Sequence, residues 1–236
     1  MSMHRRQFHA ALATLALGSS LSPAAFAQGL SLASISNADA TGALKTALET
    51  GAIAAIQLLG AADGFLNNPK VRIPLPGYLQ DAAKLMRALG QGRRVDELET
   101  AMNRAAESAV PLARDMLVKA ARSVTVSDAK KILTGGDTSV TEFFADRTRA
   151  PLATQFLPVV KRETARVALA EKYDQIAKKG VSLGLVKPDD ASIDHYVTRK
   201  ALDGLYLIIG EQERKIRQDP IGTGSALLGR VFGALR

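Results

Sequence analysis

The run Met102-Asn103-Arg104-Ala105-Ala106-Glu107 puts an amide, a guanidinium and a carboxylate within about one helical turn of an Ala-rich stretch. On a helix, Arg104 and Glu107 are three apart and share a face, so they pair. A solvated ion pair on an outward face accounts for this pattern. The sharper reading is a polar site in a packed helix, where unbonded charges would be costly. Carboxylates beside an arginine are also what acid–base work without histidine would need. Two further groups have similar potential. Asp63, Asn67 and Asn68 lie in "DGFLNNPKVRIPLP"; Asp137 follows Gly135-Gly136, and Arg214 and Arg217 sit in "GEQERKIRQDP". The arginines suit an anionic ligand or a phospholipid head group, although a charge run is ordinarily a solvated face.

Other chemistries are poorly supported. The chain has no cysteine, and after residue 27 its single histidine is His195. A Ser-His-Asp relay would have to use His195 with Asp194, whose side chain leaves a helix on a different face; a surface histidine in a first helical turn explains the pair. Metal sites built from His and Cys clusters are excluded. The stretch 187–194, "KPDDASID", is the best carboxylate loop for a hard cation, but it lacks the spacing and turn glycine of a calcium-binding loop, and helix capping explains it. "LTGGDTS" and "IGTGSALLG" do not match the phosphate-loop pattern and read as helix stops followed by caps. No catalytic residue, metal site or cofactor is expected.

The elements that would position these groups begin after an export signal. Residues 1–27 carry Arg5-Arg6, an uncharged apolar run from Ala10 to Leu17, and Ala25-Phe26-Ala27. This is the layout of a signal peptide cleaved near Ala27-Gln28. Arg5-Arg6-Gln7-Phe8 resembles a twin-arginine signal, with an ordinary secretory signal as the alternative; both predict a periplasmic protein. Removing Arg5 and Arg6 leaves 29 basic against 23 acidic residues, a net +6 over 209 residues. An exported protein has little occasion to meet nucleic acid, so this charge points to solubility or anionic surfaces. No later apolar run is long enough to span a bilayer.

Residues 28–36 read as a flexible lead-in. From Asn37, apolar residues recur at three- and four-residue spacing almost to the end of the chain. The expected fold is all-α: a single compact multi-helix bundle over 37–236 with eight to ten helices. Pro111 should kink or restart a helix, and Thr125 with Asp128, or Ser127 alone, should open a short helix to Leu133 that Gly135-Gly136 stops. Ser139-x-x-Glu142 reads as a second capping box. Pro151 and Pro158 should break the stretch 140–179 into pieces. One segment departs from helix. At about 70–76, Val71, Ile73 and Leu75 alternate with Arg72 and Pro74. Proline cannot donate to a sheet ladder, so this reads as an extended strap laid on helices.

Four words resemble the bacterial "domain of unknown function 4197" family: "NADATGALKTALETGA", "DGFLNNPKVRIPLP", "DAKKILTGGDTSVTEFF" and "KALDGLYLIIGEQERKIRQDPIGTGSALLGRVFG". Their order and spacing agree over essentially the whole chain after the signal. The resemblance implies an exported-type protein with one domain, and it carries over no catalytic residues. It places weight on Asp63, Asn67, Asn68, Asp137, Arg214 and Arg217, most of which turn formation also explains. The functional expectation is a non-catalytic binding or scaffold protein of the periplasm, taking an apolar ligand or a protein partner. One alternative is an enzyme with a carboxylate/arginine site. Another is peripheral attachment to an anionic membrane through a last helix carrying Leu227, Leu228, Val231 and Phe232 beside Arg230.

Overall fold

The apolar stripe Leu44, Leu48, Ala52, Ala55, Ile56 and Leu59 forms one face of the first helix, α1 (Asn37–Gly60), and all six residues are buried. The computed structural model describes residues 37–184, 186 and 192–219, with the side chains of 78, 176 and 179 left aside. The signal segment, the lead-in, most of "KPDDASID" and the last helix expected over 225–235 lie outside the described residues.

Among the described residues there are eight α-helices and no strand. After α1 come α2 (Gly77–Ala88), α3 (Gly92–Ala109), α4 (Arg114–Arg122), α5 (Val126–Thr134), α6 (Ser139–Thr164), α7 (Ala168–Ser182) and α8 (Ile193–Gln218). Pro111 restarts the chain as expected, through a 3-10 turn at Val110–Ala113. Thr125 caps α5 in a capping box with Asp128. These helices are consistent with an all-α bundle around one hydrophobic cluster.

The most extensive helix contact is α6 against α8. Both bury residues at four-residue spacing: Val140, Phe144, Thr148, Leu152, Phe156 and Val160 on α6, and Ile193, Val197, Ala201, Leu205 and Ile209 on α8. Such rows form the ridges by which helices interdigitate. At mid-length, the Thr148 and Tyr206 hydroxyls meet at 2.8 Å, satisfying two polar groups inside the seam.

This seam corrects one sequence expectation. Pro151 and Pro158 do not divide the segment, and α6 runs through both. Both prolines are exposed and seven residues apart, so they share the solvent side. The carbonyls they leave unbonded face water, while the opposite face keeps its packing. The chain breaks later, at 165–167, before α7.

Ser139-x-x-Glu142 is the second correction. The N-cap of α6 is Thr138, and no side-chain cap bond comes from it. The cap comes from α8 instead: Glu213 accepts from the Val140 and Thr141 N–H groups at 3.2 and 3.3 Å.

Candidate functional site

The segment between α1 and α2 is where the predicted polar residues converge. Asp63 has φ 66°, a left-handed conformation rare for a residue with a Cβ. Next to it, a Cβ on Gly64 would lie 2.5 Å from the Leu58 carbonyl oxygen, so only glycine fits. This tight turn sends Phe65 into the core. The strap that follows buries Val71, Ile73 and Leu75 and exposes Arg72 and Pro74, the alternation read from the sequence.

Helix α3 holds the strap with its polar side chains. Asn103 Oδ1 accepts from the Ile73 N–H at 2.8 Å, and its Nδ2 donates to the Ile73 carbonyl at 2.9 Å. Glu107 Oε1 accepts from the Phe65 and Leu66 N–H groups at 3.0 and 3.1 Å. Its other oxygen, Oε2, accepts from Arg104 at 2.7 Å, and Arg104 also donates to Asp63 at 2.7 Å. The hydrogen bond to Glu107 is the main reason the Arg104 guanidinium holds its proton above its usual range. Glu107 is only 5% exposed, so the solvated-pair reading fails for the carboxylate while Arg104 remains half-exposed. A buried charge is tolerable here because every contact made to it comes from a donor.

Helix α8 holds the other side. The Tyr196 hydroxyl donates to the Pro74 carbonyl at 3.0 Å, and Lys70 pairs with Glu211 at 2.7 Å. A Cβ at Gly204 would meet Phe65 at 2.8 Å, so the glycine makes room for the strap. Asn68 accepts from the Lys70 N–H through its side chain, while Asn67 is exposed and bonds through its backbone to Asp63.

Of the remaining predicted residues, Arg217 belongs to a second cluster. Arg217 donates to Glu213, to the Ile132 carbonyl and to Ser139 Oγ, at 2.9, 2.9 and 2.7 Å. This clamp ties the α5–α6 turn to α8. Asp137 lies exposed in that turn, and Arg214 is half-buried on α8. Glu213 is 5% exposed, so the charge run is not a uniformly solvated face. The sequence reading passed over Glu213. Its signal was its place four residues after Ile209 on the apolar stripe and four before Arg217.

Next to the strap, a groove opens between α2, α3 and α7. Leu75 ends the strap at its edge, and Leu79, Met86, Leu98, Leu169 and Tyr173 supply most of the remaining wall. It is open to solvent, and about 60 Å³ of it is wide enough for water. Among the described residues, Lys172 is the one charged residue of its lining. Helix α2 packs chiefly on α3, and α7 packs on α3 and α8 through small contacts. Sequence reasoning did not assemble this groove, because its walls come from separate parts of the chain.

No curated protein and no solved structure matches the chain. A family model described as a protein of unknown function (DUF4197) matches residues 34–233. The chain therefore belongs to that family.

Proposed function

We propose that this chain is an exported, non-catalytic binding or scaffold protein of the periplasm, and that the groove beside the strap receives an apolar ligand or an apolar group of a partner. The observation that carries this reading is the groove itself. Its walls offer water almost no hydrogen-bonding partners, and poorly bonded water is favourably displaced by an apolar group. At about 60 Å³, the part of it that water can enter is well below a preformed small-molecule pocket. It therefore suits the end of a chain or one large side chain. Export is supported by the signal-like residues 1–27.

The groups that an enzyme of the carboxylate/arginine type would use are engaged in the fold. Asn103 binds the strap, Glu107 binds the turn before it, Arg104 bridges Glu107 and Asp63, and Arg217 binds Ile132 and Ser139 on either side of the α5–α6 turn. That favours a binding role for the groove over catalysis at the polar cluster. The test is native mass spectrometry of protein recovered from fractionated cells, wild type beside Ala82→Phe. Ala82 lines the groove and is exposed, so a larger side chain closes the opening without entering the core. The expected result is periplasmic protein carrying a bound apolar molecule that denaturing extraction releases and that Ala82→Phe lacks. Clean protein in both cases, or cytoplasmic protein, overturns the corresponding half of the proposal.

A further inference from the structure

We propose that the groove between α2 and α7 binds a single-chain amphiphile with an anionic head, a fatty-acid-like carboxylate, with Lys172 meeting the head and the apolar walls taking the tail. This rests on the groove's being a binding site and names the ligand class.

Three observations carry it. First, among the described residues Lys172 is the one charged residue of the groove's lining, its stem forming part of an almost wholly apolar wall, and the residue is exposed. An ammonium there selects an anion and penalises a cation. Second, the apolar surface continues outward beyond the enclosed part. Leu85 on α2 and Leu89 at its C-cap are 61% and 69% exposed, and they follow Ala82 at three- and then four-residue spacing. A tail longer than the inner space would lie along them. Third, α2 is held chiefly by α3, so this wall moves outward at little cost to the rest of the core. One flexible chain suits so small a water-accessible volume, whereas a fused-ring ligand does not.

The experiment is isothermal titration calorimetry of the purified protein with octanoate, decanoate and 1-decanol below their aggregation concentrations. Wild type is compared with Lys172→Glu and Ala82→Phe, both changes at exposed positions whose folding is checked by circular dichroism. The expected result is an affinity gain of about fourfold per added methylene between octanoate and decanoate. Lys172→Glu should weaken decanoate severalfold and leave 1-decanol unchanged, and Ala82→Phe should abolish both. If decanoate and 1-decanol bind alike and Lys172→Glu changes neither, the anionic-head inference is overturned while the groove remains a binding site. If neither binds wild type, the amphiphile inference is overturned. If sedimentation equilibrium then shows a dimer that Ala82→Phe dissociates, the groove's occupant is a second copy of the chain; with no such dimer and no ligand in the native mass spectrum, the groove reading falls as well.

Discussion

Asn103 exchanges two hydrogen bonds with the backbone of Ile73, donating to its carbonyl and accepting from its N–H, as a neighbouring strand would. A helix thus supplies the edge that the proline-containing strap lacks. The amide is fully buried, and its Nδ2 also donates to the Glu99 carbonyl at 2.8 Å. Asn103→Ala leaves the Ile73 groups without these partners. It should cost about 2–4 kcal/mol, because each buried group left unbonded costs about 1–3 kcal/mol. Urea unfolding followed by circular dichroism measures this. A loss below about 1 kcal/mol would mean that water replaces the amide and that Asn103 does not hold the strap.

Gly204 and Phe65 form the contact on the opposite side. A methyl group at Gly204 would approach the Phe65 ring at 2.8 Å and Val71 Cβ at 3.2 Å. Gly204→Ala gains helix propensity yet should destabilise by about 1–3 kcal/mol, since overpacking a core outweighs that gain. Phe65→Leu in the same chain should recover part of the loss. A double-mutant cycle from urea midpoints checks it, and strict additivity would show that the strap is not wedged between α3 and α8.

How much of this was legible in the sequence depended on distance along the chain. The strap's alternation and the Thr125–Asp128 cap are local and read directly. The run of α6 through Pro151 and Pro158 was not legible. Each proline costs a helix about 3 kcal/mol, but Phe144, Leu152 and Phe156 on the other face each gain about 1.5–3 kcal/mol on burial. That gain exists only once α8 is in place. Ser139 misled for a related reason, since the group that caps α6 is Glu213, far away on α8. At Glu107, an i, i+3 pair looks the same whether solvated or buried; the Phe65 and Leu66 N–H groups that justify its burial come from another segment.

The Glu213–Arg217 clamp should behave as one unit. Glu213→Ala leaves Arg217 without its carboxylate and the α6 N-terminus without its acceptor, so a loss of about 3–5 kcal/mol is expected. Glu213→Gln keeps an acceptor for the N–H groups and should cost less. Thermal unfolding of both variants, together with Arg217→Met, tests the coupling. Equal effects of the alanine and glutamine changes would place the whole contribution in the charge and none in the cap.

The last prediction concerns pH, at the start of α8. Asp174 on α7 accepts from the Ile193 N–H at 2.9 Å. Burial pushes its carboxyl above the usual range; Asp194 adds to this, while the Ile193 N–H, Lys178 and His195 oppose it. A carboxyl whose pKa is raised on folding holds its proton more tightly in the folded state. Its charge therefore weighs against the fold at neutral pH, and that cost fades as pH falls through the raised value towards the ordinary one near 4. Asp174→Asn keeps an acceptor for Ile193 without the charge. It should raise the midpoint of thermal unfolding at pH 7, by an effect under about 1 kcal/mol because the group is partly solvated. The difference from wild type should shrink on acidification to pH 4. A gap that widens instead would mean that the charged carboxylate favours the fold, through its bond to the N-terminus of α8.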